Sequence, residues 1–284
     1  MLSSHPVDSE SSTLRSLYDS DERPHPFVEE WLELYRYRHL LWQWSSRNLT
    51  LRYKRSVLGI LWTLLEPLMI MTILTIVFSA LFRFELPNYP VYVLTGFSLW
   101  DFFRRSSLGM MDEVTGSQSL STRVYLPQST FAVASVVTYL VNWLLTMLPL
   151  LLIILLLGHP IEPALAVLPA AMVLVVLFTL GVGLIVSTIA TFFPDFGLMY
   201  QVLLTGLMYA TPIIYPLDVV PPRFQAFLLL NPLTHLLALV RDPIYEGVVP
   251  APGAWLLGLA LALGALTFGW WIFTRYRDAF SYVR

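Results

Sequence analysis

The hydrophobic pattern divides this chain into a polar front and a series of long apolar runs. Residues 1–30 mix Ser, Pro and charge without a sustained period and read as a flexible polar tail. The tail lacks the basic start and short apolar run of an export signal, so it is expected to stay in the cytoplasm. From residue 31 the pattern changes. Trp31, Leu34, Tyr35, Leu41, Trp42 and Leu49 recur at roughly helical spacing, with Arg36, Arg38, His39 and Arg47 among them. This predicts an amphipathic helix over 31–50, lying at a membrane surface.

Crossing a bilayer takes about 20 mainly apolar residues. Six spans are predicted, at about 57–82, 90–111, 130–157, 164–193, 197–217 and 253–274. Three of these lie in stretches with no Asp, Glu, Lys or Arg, namely 124–161, 163–194 and 247–274. The second span is the weakest, because Asp101, Arg104 and Arg105 follow an uncharged stretch of only 15 residues, 86–100. Charges at such a position are expected to face protein or water rather than lipid. Glu66 precedes Pro67 inside the first span, so its carboxylate needs a partner or a proton. Between 218 and 252, Asn231-Pro232 breaks an apolar stretch into halves too short to span. Two short re-entrant helices, 223–230 and 233–243, are expected there. The fold class is therefore all-α: a polytopic membrane protein with six transmembrane helices, an amphipathic N-terminal helix and short re-entrant helices before the last span.

Composition narrows the function classes. Of the 284 residues, 56% are hydrophobic and 13% charged, and mean hydropathy is +0.66. So few charges cannot give a soluble domain its polar surface, which excludes an ordinary soluble enzyme as well as a disordered chain. There is no cysteine, so thiolate chemistry and disulfides are absent. Lys54 is the one lysine and follows no Gly-rich turn, which excludes a P-loop ATPase. His5, His25, His39, His159 and His235 show no metal-ligand spacing, and a net charge of -2 gives no reason to expect nucleic acid. The positive charge is unevenly placed. Fourteen of the 17 Arg and Lys residues fall before the first span, at the end of the second (Arg104 and Arg105), between the second and third, or after the last. The positive-inside rule then puts both termini in the cytoplasm.

Several local groups have both a plain and a functional reading. Arg47, Arg52, Lys54 and Arg55 set topology and touch anionic lipids, or contact a partner or an anionic substrate head. Asp112, Glu113 and Arg123 bracket a polar stretch that is either a loop or a short helix receiving force from a partner. Tyr89, Tyr92, Tyr209, Tyr215 and Tyr245 lie near the expected external half, as an interfacial belt or as the lining of an aromatic path. Asp195, after Pro194, reads as a helix cap in a turn. No nucleophile–base or paired-carboxylate arrangement stands out, and no cofactor site does.

Taken in order, these features form a series. RNLTLRYKRSVLGILWTLLEPL opens the first span, YPVYVLTGFSLWDFF the second, and GSQSLSTRVYLP precedes the third. ATFFPDFG closes the fourth, and TPIIYPLDVVP and LLLNPLTHLLALVRDPIY follow the fifth. Over about 31–277 the chain resembles the membrane subunits of ABC-2 type polysaccharide exporters, which handle O-antigen, capsule or teichoic acid. Arg52, Lys54, Arg55, Gly59, Trp62, Pro67, Gly96, Trp100, Phe103, Pro127, Pro212, Tyr215, Pro216, Asn231, Pro232 and Arg241 carry the match. Gln128 stands where many members have Arg, and Pro194 where a basic residue is common.

The resemblance implies a 57–277 transmembrane domain that pairs with a second copy of itself. It also implies two copies of a cytoplasmic ATPase subunit that hold ATP and Mg2+, none of it bound by this chain. Segment 112–124 would be the coupling element, 223–230 and 233–243 short external helices, and 278–284 a cytoplasmic C-terminus. The expected function is export of a lipid-linked polysaccharide across the inner membrane. The alternatives are ABC-2 export of a small lipid or drug, a self-powered secondary transporter, and a membrane-embedded transferase.

Overall fold

In hydrocarbon every backbone polar group must be satisfied within its own segment, which favours helices. A computed structural model describes residues 38–53, 58–82, 86–116 and 128–277, and among these every regular element is helical. The predicted tail 1–30, the start of the predicted surface helix, most of the 112–124 segment and 278–284 lie outside the described residues.

The helices are α1 (Arg38–Tyr53), α2 (Trp62–Phe82), α3 (Tyr89–Gly116), α4 (Gln128–Leu156) and α5 (Leu168–Phe192). They continue with α6 (Phe196–Tyr209), α7 (Pro222–Leu229), α8 (Pro232–Arg241) and α9 (Pro252–Tyr276). Short turns of tighter helix precede α2 and α5, and a wider turn, Asp242–Glu246, follows α8. Three stretches are long and apolar enough to cross a membrane: α4, α5 with its leading turn, and α9. The first two lie within charge-free runs of the sequence, and α9 passes the end of the third by two residues, Arg275 and Tyr276. The bent pair formed by α7 and by α8 with its following turn, at 89°, adds a fourth if it is counted as one broken span.

Contacts define two ends of the bundle. At one end Tyr89, His159, Ile214 and Tyr245 gather. At the other, Trp44 meets Phe131 and Glu113, and Phe192 meets Tyr276. Trp100, Phe131, Trp270 and Phe273 are fully buried. Helices α5 and α9 pack backbone to backbone. A Cβ at Gly181 would lie 2.3 Å from the Ala265 carbonyl, and one at Gly269 only 2.1 Å from the Gly181 oxygen. Close small-residue contacts of this kind hold helices together where lipid provides no hydrophobic drive.

Helix α3 runs 28 residues and continues past its charged patch, whereas α6 stops at Tyr209. The fifth predicted span ran to 217. Pro212 and Pro216 remove two donors and disfavour helix at the residues before them, so 210–216 leaves the helix. At about 1.5 Å per residue, the 14 residues of α6 cover roughly 21 Å, less than the roughly 30 Å of a hydrocarbon core.

Candidate functional site

The irregular segment 210–216 exposes backbone carbonyls that α6 no longer satisfies, and α3, α8 and the cap residue of α8 supply donors to them. Arg241, at the last turn of α8, reaches into this segment. Its Nη1 donates to the Pro212 oxygen at 2.7 Å and to the Tyr92 hydroxyl at 2.8 Å, and its Nη2 donates to the Ile213 oxygen at 3.0 Å. The guanidinium also lies 3.8 Å from the Tyr92 ring centroid. The residue is 6% exposed. No carboxylate forms a salt bridge with it among the described residues. Backbone dipoles and a ring face replace a counter-ion. Gly96 makes the space, because a Cβ there would sit 2.2 Å from Arg241 Nη2.

The tyrosines complete the fastening. Tyr89 donates to the Ile214 oxygen at 2.7 Å, Tyr92 to the Tyr215 oxygen at 3.0 Å, and Tyr215 to the Tyr209 oxygen at 2.5 Å. Tyr245 donates to the Pro87 oxygen at 2.6 Å and meets the Tyr92 ring edge-on. Asn231 caps α8 by accepting from the Leu233 N–H, and its Nδ2 donates to the Ala210 oxygen and to Thr211 Oγ1. His159 links Asn88 to the Ile244 oxygen and stacks on Tyr245. Of the five tyrosines singled out in the sequence, Tyr89, Tyr92, Tyr215 and Tyr245 thus converge with Arg241, and Tyr89 and Tyr92 are buried. Tyr209 presents an exposed ring instead.

A second polar site lies between α2 and α3. Arg105 donates through Nε to Asp101 at 2.7 Å and through Nη2 to Glu66. Arg104 donates to Asp101 at 2.9 Å. The four charges cancel. Glu66 therefore finds its partner in Arg105, and the charges that weakened the second span join one network.

At the far end of α3, side-chain bonds from Trp44 and Ser45 dock α1. Trp44 Nε1 donates to Glu113 at 3.1 Å, and Ser45 donates to the Ala134 oxygen at 3.0 Å. Arg47 is exposed, with its guanidinium 5.0 Å from the Trp44 ring centroid. Arg52 lies in the last turn of α1, and Lys54, Arg55 and Arg123 lie outside the described residues. Asp112 and Glu113 lie in the last turns of α3. Partial burial, and then the neighbouring Glu113, push the Asp112 carboxyl above its ordinary value. No group of three or more metal-ligating side chains forms among the described residues.

Sequence reasoning did not foresee the roles of Arg241, Gly96, Asn88 and His159. In the sequence Arg241 was visible as one of the residues that carry the family match and as one of the three basic residues outside the segments expected to be cytoplasmic. Asn231 before Pro232 carried an ordinary cap signal.

The sequence profile described as ABC-2 type transporter matches residues 39–245. The O-antigen export system permease protein RfbA of Myxococcus xanthus is 32% identical, over 77% of this chain and 85% of its own length. A Klebsiella pneumoniae protein of the same name is 28% identical, over 72% of this chain and 80% of its own. The polysialic acid transport protein KpsM of Escherichia coli is 26% identical with the same coverage. The match spans the helices that build both polar sites, and the chain belongs to the ABC-2 type transporter family.

Proposed function

We propose that this chain is the permease subunit of an ATP-driven exporter of a lipid-linked polysaccharide, O-antigen-like in class, in an inner membrane. One observation carries the reading: a relative named as an O-antigen export permease is 32% identical along 77% of the chain. The capsule export inner-membrane protein CtrC of Neisseria meningitidis, 22% identical over 72% of the chain, supports the same substrate class. In this reading α2, α3, α4, α5, α6 together with the 210–216 segment, and α9 are the six spans, with both termini cytoplasmic. A second copy completes the path, and two copies of a separate ATPase subunit supply ATP hydrolysis with Mg2+. Asp112, Glu113 and Arg123 face that subunit at the cytoplasmic end of α3. Arg47, Arg52, Lys54 and Arg55 meet the anionic head of the lipid carrier. Among the tyrosines, exposed Tyr209 is the one best placed to touch the moving glycan, while Tyr89, Tyr92, Tyr215 and Tyr245 shape the exit.

Cells lacking this chain are expected to accumulate the lipid-linked glycan inside and to lose it at the surface. A mild-detergent pull-down should recover a P-loop ATPase near one-to-one. Unchanged surface glycan in the deletion strain would sink the export reading. Charge reversal at Arg52 and Arg55 should lower export while the protein still inserts; normal export would remove them from the headgroup role.

A further inference from the structure

The network between α2 and α3 holds two guanidiniums side by side, and part of it is open. The Glu66 side chain is 41% exposed and that of Arg104 38%, whereas Arg105 is 19% exposed. Arg105 is held from its own helix by Asp101 and from across the interface by Glu66. The Asp101 bonds are built into one helical turn, at i,i+3 and i,i+4. Among the described residues, the Glu66 bond alone ties the arginines to another element. The Glu66 carboxylate thus occupies the place at which another anion could meet Arg105.

What lies beyond Glu66 indicates the rest of the ligand. At 100° per residue, Glu66, Met69, Ile73 and Ile76 fall on one face of α2. Met69, Ile73 and Ile76 are exposed. Glu66 is four residues from the start of α2, so the stripe begins at the charged network and runs away from it along the helix. A polar foot under an apolar stripe matches an amphiphile with an anionic head and a long tail.

We infer that Arg104 and Arg105 form a second seat, separate from the basic group at 47–55, for the head of a diphosphate-bearing lipid, with Glu66 standing in for the head when the seat is empty. The inference deepens the export reading and rests on it for the lipid carrier. A diphosphate matches the seat better than a single phosphodiester because it brings two phosphoryl groups to two guanidiniums and carries enough charge to displace a carboxylate. Arrival of the head releases Glu66, and with it the bond that ties α2 to α3 beside Pro67. Binding and loosening of α2 are then one event.

The test uses the full-length chain in phosphatidylcholine nanodiscs, titrated with geranylgeranyl diphosphate and read by native mass spectrometry. Saturable binding is expected, with none for geranylgeraniol. Glu66→Gln keeps the shape and removes the competing charge, so affinity should rise about three- to tenfold. Arg104→Gln should lower it about tenfold. A merely structural ion pair predicts no gain in Glu66→Gln, and an unchanged or weaker affinity there overturns the seat. Equal binding of inorganic pyrophosphate would remove the stripe from the site. Displacement by an equal amount of phosphatidylglycerol would make it a bulk-lipid site. Either result overturns the inference while leaving surface glycan export, measured separately in the deletion strain, to decide the broader reading.

Discussion

Arg241 and Arg105 both sit among apolar helices, yet they are held in opposite ways. Arg241 is buried at one end of the bundle, bonded to two backbone oxygens and a tyrosine hydroxyl, with no ion-pair partner among the described residues. Arg105 lies between α2 and α3, paired with two carboxylates, one of them part-exposed. Backbone carbonyls cannot leave without unfolding the segment that carries them. A side-chain carboxylate can turn away. The first arrangement suits a permanent fastening of 210–216, and the second suits an exchangeable contact.

The comparison breaks most directly at Arg241. Arg241→Ala strands three buried acceptors and is expected to destabilise the protein by about 3–5 kcal/mol, seen as a large fall in Tm of the detergent-solubilised chain. Arg241→Lys should recover little, because one ammonium cannot reproduce the guanidinium's fork to Pro212, Ile213 and Tyr92. A lysine variant as stable as wild type would show that only charge mattered there.

Gly96→Ala probes the same site from the opposite wall. The added Cβ meets Arg241 Nη2 at 2.2 Å and the Ile213 backbone at 3.3 Å, so a cost of about 1–3 kcal/mol is expected. Gly206→Ala is the control. It also lies within a helix but has nothing within 4 Å, and replacing an unconstrained helical glycine should raise stability by about 0.5–1 kcal/mol. The opposite sign of the two changes separates crowding from helix propensity.

How much of this was legible follows from what each feature needs. The apolar runs of α4, α5 and α9 are local, and the sequence displays them directly. The end of α6 is also local, since Pro212 and Pro216 announce it, although hydropathy alone extended the span past it. The Arg241 fastening joins residues 149 apart in sequence, and nothing near Arg241 distinguishes a buried guanidinium from a surface one. Likewise Glu66 advertises its need for a partner, but only the packing of α2 on α3 selects Arg105. Tyr89, Tyr92, Tyr215 and Tyr245 gather near Arg241. Their chemistry differs from a displayed aromatic wall, because the hydroxyls are taken up by 87 and 209–215 backbone oxygens.

Tyr92→Phe gives a finer cut through the fastening. It keeps the ring face against Arg241 and removes one hydroxyl that accepts from Nη1 and donates to the Tyr215 oxygen. The expected loss is about 1–2 kcal/mol, well short of the Arg241→Ala effect. A loss as large as that of Arg241→Ala would mean that the hydroxyl, rather than the backbone oxygens, anchors the guanidinium.

Glu66→Gln should have the smallest effect on stability, under about 1 kcal/mol, because the carboxylate is part-exposed and the amide can still accept from Arg105. Its position beside Pro67 does not change this, since the substitution leaves backbone and volume alone. The fastening and the exchangeable contact then separate in a single experiment on Tm in low and high salt. The wild-type α2–α3 contact should weaken with salt and the Glu66→Gln contact should not, while the Arg241 site, shielded from solvent, should be insensitive in both. A loss above about 2 kcal/mol in Glu66→Gln would place Glu66 with Arg241, among contacts that cannot be exchanged.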